Sequence, residues 1–320
     1  MATKNTIEIA GLKLQVLDRN SSTEQWIPKI NTAYKFTDNA FDIIMDLIPP
    51  ENAPIKKPLL TGHAGVGKSS VFEQLAARIN QPVLRAPLNG QMAISDFVGT
   101  YIQRGGETVW IDGMLTTAMR LGCWLVLDEV DFGDPNILAT LNGILEPKDC
   151  LGNLVLKEKG HEVVEPHPAF RLIATANTIG AMKEYRNLYP GAFVPNDAFL
   201  DRWRVYYVTY LGESDEIEVL SNTMGWTDKG QKWFSMKMVK SANLIREAFT
   251  REEVGCTFSM RRLFDWADQI RRHKATGGTP LERVLRAAEA TVFSKVSSED
   301  RAIIKGIIER VVGGGKDADF

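Results

Sequence analysis

Gly62-His63-Ala64-Gly65-Val66-Gly67-Lys68-Ser69 fits the pattern G-x-x-x-x-G-K-[ST] and stands between an apolar, strand-like run at 58–61 and a helical pattern at 70–80. Glycines at these spacings let successive backbone N–H groups turn toward one point at the start of a helix, where the helix dipole also favours negative charge. Lys68 adds a point charge and the Ser69 hydroxyl a ligand for Mg²⁺, so the stretch reads as a cradle for the phosphates of a nucleoside triphosphate. Its contributors are Gly62, His63, Ala64, Gly65, Val66 and Gly67, continued into the helix by Lys68, Ser69 and Ser70. At His63 the main chain matters more than the imidazole.

The chain has 320 residues, 44% of them hydrophobic and 24% charged, which is enough apolar material for a sizeable core and suggests roughly two domains. With a formal net charge of −2, nothing resembles the basic stripe expected of a dedicated nucleic-acid binder, although local basic patches are compatible with it. Cys123, Cys150 and Cys256 are odd in number and widely spaced, which points to a reducing compartment and away from a disulfide framework or a zinc site. His161, His167 and His273 have no metal-ligand spacing. With no leader-like N-terminus and no apolar run of membrane-spanning length, the expected location is cytoplasmic, away from any membrane.

Five short apolar or β-branched runs, at 58–61, 83–86, 123–127, 171–175 and 205–209, alternate with helical patterns such as 69–79 and 136–145. Asp134-Pro135 is a start signal for the second of these helices. This alternation predicts a doubly wound parallel α/β domain over 33–210, which opens with a helical pattern at 38–47 ahead of the first strand and follows an N-terminal extension, 1–32, to which no role is assigned. Runs at 154–156 and 162–164 flank a turn and predict a β-hairpin inserted before the fourth strand. Beyond 211 strands give way to helical patterns at 215–224, 233–249, 260–273, 281–296 and 299–311, a separate helical domain over 211–320 with a Gly-rich, acidic tail at 313–320.

The third strand run ends in Asp128-Glu129, two adjacent carboxylates. Phosphoryl transfer to water needs positioned charge and an oriented nucleophile, so Asp128 suits a Mg²⁺ ligand and Glu129 a group that polarises the attacking water. The fourth strand delivers Asn177 to the same edge, where its amide can hold that water or report on the γ-phosphate. Arg202, ahead of the fifth strand, is far from its own phosphate loop but placed to reach a neighbour's nucleotide in a ring, with Arg204 as a rival. Ser259-Met260-Arg261-Arg262 opens a helix of the second domain, from which Arg261 can fold over the phosphates.

Together with Ser95-Asp96-Phe97-Val98-Gly99 ahead of an inserted loop, Asp112-Gly113, the block from Val164-Glu165-Pro166-His167-Pro168 through Ala176-Asn177-Thr178, and Leu200-Asp201-Arg202-Trp203, these motifs resemble the MoxR group of AAA+ ATPases. The resemblance runs over about 34–211 and is most specific to the ATPase subunits of aerobic cobaltochelatase. It implies a P-loop NTPase (AAA+) α/β fold with a parallel sheet and a C-terminal helical lid domain, binding ATP and Mg²⁺. By residue it implies 62–69 as Walker A, Asp128 and Glu129 as Walker B, Asn177 as sensor 1, Arg202 as arginine finger and Arg261 as sensor 2. Met260 stands where that family usually has Pro.

The resemblance further implies a homo-oligomeric ring, usually a hexamer, acting on a protein partner with a von Willebrand A domain, either in metal chelation or as a general MoxR-type chaperone. Two insertions, 88–109 and 151–166, are expected to contact the substrate. A nucleic-acid motor is disfavoured because Arg104, Lys157 and Lys159 in them are offset by Glu107, Glu158, Glu162 and Glu165. A switch that holds ATP without hydrolysis is disfavoured by Glu129 beside Asp128.

Overall fold

The computed structural model describes residues 5–88, 92–147, 150–179, 182, 184, 187, 189–192, 197–272 and 277–314. It divides into two compact units: Met1–Asn31, Phe36–Gly62 and Gly67–Val208 form the first, and Thr32–Lys35, His63–Val66 and Thr209–Phe320 the second. Among the described residues no helix is long and apolar enough to cross a membrane.

The first unit begins with an antiparallel hairpin, β1 (Thr6–Ile9) and β2 (Leu12–Gln15), turning through Ala10 and Gly11 at positive φ. Then follow α1 (Ala40–Leu47), the wholly buried β3 (Pro58–Thr61), α2 (Lys68–Ile79), β4 (Val83–Pro87), α3 (Ile94–Val98), and the strands β5 (Gly99–Arg104) and β6 (Glu107–Asp112). Next come α4 (Met114–Leu121), β7 (Trp124–Asp128), α5 (Pro135–Thr140), α6 (Asn142–Leu145), the hairpin strands β8 (Leu154–Leu156) and β9 (Glu162–Val164), β10 (Arg171–Ala176), α7 (Asp197–Leu200) and β11 (Arg204–Tyr207).

Five strands form one sheet in the order β11-β3-β10-β7-β4, every neighbouring pair parallel. Parallel strands need covered faces, which is why the three central strands are apolar through their middles: Leu59, Leu60, Leu125, Val126, Leu127, Ile173 and Ala174 are all fully buried. Because the pairs are parallel, Thr61, Asp128 and Ala176 reach the same carboxyl edge, and whatever follows them is gathered there.

The N-terminal extension packs along α2. Leu17 N–H donates to Ile79 O (2.9 Å), Asn31 N–H to Gln74 Oε1 (2.8 Å), and Arg78 reaches Asn31 O (3.1 Å). Two sequence expectations need correction. The helix at 136–145 is two short helices meeting at Leu141, whose N–H bonds only three residues back, to Leu138 O; that tighter turn keeps Leu141, Ile144 and Leu145 all in the core. The loop expected within 88–109 holds α3 and an antiparallel hairpin turned by Gly105 and Gly106, both at positive φ, while 89–91 lie outside the described residues.

The second unit is helical: α8 (Glu213–Met224), α9 (Lys229–Thr250), α10 (Met260–Arg272), α11 (Pro280–Thr291) and α12 (Ser298–Gly313). Asp228 caps α9, accepting from Gln231 N–H (2.8 Å), so the helix starts ahead of the 233 read from periodicity. The 281–296 pattern is α11, opened by a Thr279/Glu282 capping box, followed by a 3₁₀ turn at Phe293–Lys295. His273 and residues 315–320 of the tail lie outside the described residues. Phe258, Trp266, Val284, Ile304 and Ile308 are among the buried residues of its core.

That core contains an ion pair. Arg246 donates to Glu216 through both terminal nitrogens (2.7 Å each) and through Nε to Phe258 O (2.8 Å), with Glu216 fully buried and the guanidinium 3.6 Å above the Tyr210 ring. Removing one member strands the other charge in the interior. Glu216→Ala is therefore expected to lower unfolding free energy by about 3–5 kcal/mol, read as a fall in denaturation midpoint; a loss under 1 kcal/mol would mean the pair behaves as a surface one.

Candidate active site

The constellation lies at the carboxyl edge of the five-stranded sheet, in the first unit. The chain leaves β3 through Gly62 and enters α2 at Gly67, whose φ of 99° and ψ of 19° lie in the left-handed region where a glycine carries no penalty. Lys68 is thereby the first residue of the helix, and its ammonium points back over the sheet edge. It donates to Gly62 O and to Asn177 Oδ1, both at 2.8 Å, and the residue is only 8% exposed. Burial pulls its pKa down to about 8, against the opposing pull of the nearby carboxylates of Asp131, Glu129 and Asp128.

Ser69 Oγ donates to Asp128 Oδ1 at 2.7 Å, joining the helix start to the end of β7. Thr175 Oγ1, on β10, donates to the same oxygen (3.1 Å) and accepts from Glu129 N–H (3.2 Å). Glu129 has φ 58° and ψ 53°, a left-handed backbone rare outside glycine, which ends the strand abruptly and leaves its side chain exposed while Asp128 stays buried. The two adjacent acids therefore have different environments. Asp128 is held among hydroxyls and Glu129 faces water.

Asn177 follows β10 and is buried, its amide oxygen on Lys68 as above. Sequence reading missed what fixes it. Asp131, fully buried in the 3₁₀ turn after β7, accepts through Oδ2 from Asn177 N–H (2.8 Å), Thr178 N–H (2.9 Å) and Thr178 Oγ1 (2.9 Å). Its signal is faint, an acid flanked by Val130 and Phe132 just past Asp128-Glu129. Thr175 and Arg85 were missed as well; Arg85 contacts Asp128 Oδ2 from β4.

Other expected residues lie elsewhere. Arg202 donates to Glu146 Oε2 (2.8 Å through one terminal nitrogen) and to Ala198 O (2.6 Å). β11 runs parallel to β3 with Arg204 opposite Pro58 and Tyr207 opposite Thr61, so Arg202 is at the amino end of the strands while Gly62 is at the carboxyl end. Arg204 is tied to the buried Asp46 (2.5 Å), which also accepts from Tyr206 OH (2.6 Å). Burial raises the Asp46 pKa, and the hydroxyl and guanidinium beside it counter that.

In the second unit, Arg261 is exposed on the first turn of α10, the His63 ring meets Phe249 edge-on at 5.5 Å, and Met260 N–H donates to Gly65 O (3.3 Å). Ala64 and Val66 complete that stretch of loop, and Ser70 is half-buried in the first turn of α2.

The donor set suits Mg²⁺. A hydroxyl and one carboxylate within 2.7 Å of each other are hard oxygen ligands for an ion that keeps waters and takes its remaining ligands from phosphate. Among the described residues no group of three or more His, Cys, Asp or Glu side chains converges into an all-protein metal cage.

Comparison with known proteins agrees with this geometry. The model of the AAA domain, dynein-related subfamily, matches residues 57–189. The aerobic cobaltochelatase subunit CobS of Sinorhizobium sp is 32% identical over 265 residues, spanning 81% of this chain and 76% of that protein. Protein NorQ of Paracoccus denitrificans is 34% identical over 119 residues, 37% of this chain and 43% of that one. Protein CbbQ of Hydrogenophilus thermoluteolus is 32% identical over 141 residues, 43% and 51% respectively.

Two measurements probe the edge. Lys68 has a folded pKa near 8 against an ordinary 10.5, so between those values the unfolded chain binds more protons and stability rises with pH. Relative to Lys68→Met, the nucleotide-free protein should gain up to roughly 1 kcal/mol per pH unit in that window; superimposable pH profiles of the denaturation midpoint would refute it. Asp131→Ala leaves two buried N–H groups unpaired and is expected to cost more than about 2 kcal/mol, checked by thermal unfolding, with an unchanged melting temperature as the contrary result.

Proposed function

The chain belongs to the AAA+ ATPases, in the MoxR group, and from that membership we propose that it assembles as a ring that couples ATP hydrolysis to remodelling of a partner protein. The observation that supports the hydrolytic part of this reading is the convergence of Lys68, Ser69, Asp128 and Asn177 at one sheet edge through contacts of 2.7–2.8 Å. In this reading the backbone of 62–69 and the Lys68 ammonium bind the phosphates, with Ser70 continuing the cradle. Ser69 and Asp128 hold Mg²⁺, which when bound neutralises charge developing on the phosphate oxygens. Glu129, exposed past the strand end, orients the lytic water and accepts its proton. Asn177, anchored by Asp131, keeps its amide where the γ-phosphate will lie.

Arg202 acts across a subunit interface. Its place at the amino ends of the strands keeps it from its own phosphate loop, and its rival Arg204 is committed to the buried Asp46. A guanidinium supplied in trans stabilises transition-state charge and makes turnover depend on assembly, for which a hexamer is the expected size. Residues 33–210 serve as the nucleotide domain and 211–320 as the helical lid, from which Arg261 supplies sensor 2, while 1–32 brace α2. The hairpin β5–β6, exposing Tyr101, Ile102 and Ile111, and the hairpin β8–β9 meet the partner.

The likeness to CobS favours a metal-chelatase role, with a von Willebrand A-domain protein as partner. The likeness to NorQ and CbbQ supports a second reading, a general MoxR-type chaperone acting on such a partner outside metal insertion. Either engine works in the cytoplasm. Glu129→Gln is expected to abolish turnover while ATP still binds, a fall of at least about 100-fold, and Arg202→Ala to abolish the rise of specific activity with protein concentration. ATP hydrolysis measured across a concentration series, with sizing in parallel, checks both. Turnover that is independent of concentration and survives Arg202→Ala would overturn the shared-site ring.

A further inference from the structure

Asp128 is engaged on both oxygens. Oδ1 accepts from Ser69 Oγ (2.7 Å) and Thr175 Oγ1 (3.1 Å), and Oδ2 from Arg85 Nε (2.7 Å) and a terminal nitrogen of the same guanidinium (2.5 Å). A carboxylate offers about four acceptor positions, so all are in use. Arg85 projects from β4, and its other terminal nitrogen donates to Glu73 Oε1 (2.7 Å), four residues beyond Ser69 on α2. The guanidinium thus bridges β7 to the helix that carries Lys68 and Ser69. The four donors on Asp128 come from three residues, two hydroxyls and a half-exposed arginine, and only the arginine carries charge that no movement of a proton can remove.

Two consequences follow for a divalent cation at Asp128. The ion must share the carboxylate with a fixed positive charge one hydrogen bond beyond Oδ2, so the two cations repel across a largely buried carboxylate. The metal-free carboxylate is also already stabilised by an ion pair, which lowers what metal binding gains. Both effects have the same sign.

We propose that Arg85 is a positioning residue that sets the Mg²⁺ affinity of this site, clamping Asp128 to α2 while metal is absent and keeping the metal–nucleotide complex exchangeable. The inference rests on Asp128 being the metal carboxylate. A motor that cycles must release its product with its metal, and a paired carboxylate binds Mg²⁺ more weakly than a bare one.

The test is titration of the full chain with Mn²⁺ in saturating ADP, with free Mn²⁺ counted by electron paramagnetic resonance, for wild type, Arg85→Met, Arg85→Lys and Asp128→Asn. Arg85→Met is expected to bind Mn²⁺ about fivefold more tightly or better, whereas Arg85→Lys, which keeps the charge but loses the fork, stays within about twofold of wild type. Metal-free ADP affinity should be the same in wild type and in both Arg85 variants. A merely structural Arg85 would weaken Mn²⁺ in both variants, and equal or weaker binding by Arg85→Met overturns the proposal. Arg85→Gln reads the same charge loss should the Met variant not fold. Asp128→Asn retaining the Mn²⁺ of wild type would bring down the assignment of Asp128, and the proposal with it, a result distinct from a silent Arg85.

Discussion

A lysine ammonium held almost entirely out of water is the constraint around which the first unit is organised. Lys68 at the start of α2 can sit there only because a carbonyl and an amide oxygen receive it at 2.8 Å and three carboxylates lie close enough to favour its charge. Each acid in turn needs its own support: hydroxyls and a guanidinium for Asp128, backbone N–H groups for Asp131, open water for Glu129. A parallel sheet is what brings these groups together, since it delivers the ends of β3, β7 and β10 to one edge with hydrophobic strands buried behind them. Polar groups at the edge and leucines beneath it are therefore one design. The low-dielectric core makes the charges consequential, and the charges fix where the strands must stop.

Legibility from sequence tracked how local each feature is. The phosphate loop was legible because its geometry depends on glycines and a lysine within eight consecutive residues, and β3 and the β8–β9 hairpin fell where patterning placed them. Asp131 was not, because the groups that define its role, Asn177 and Thr178, lie 46 and 47 residues away and are met only through sheet pairing. Arg85 has the same character. Isolated, it is an unremarkable exposed arginine on an edge strand, and only the register of Pro87 with Asp128 brings the guanidinium to the carboxylate.

The misread segments have equally physical causes. The break at Leu141 leaves helical periodicity intact, since a residue bonded three back instead of four still faces the core. In β5–β6 the apolar residues Tyr101, Ile102 and Ile111 are exposed, so no clean alternation marks a buried face, although Gly105-Gly106 is a turn signal. The first hairpin turns on Ala10, a residue that seldom adopts positive φ and so gives no warning of a turn.

Glu129 carries a left-handed backbone that a side chain with a Cβ adopts at a cost of order 1 kcal/mol. Glycine or asparagine would occupy that geometry more comfortably, and neither has a carboxylate. In the role proposed for Glu129, folding and chemistry therefore pull in opposite directions at this one position, and either relaxed residue is expected to give a sturdier protein without turnover. On that reading, a copy of this chain selected for stability alone would be expected to exchange Glu129 for one of them.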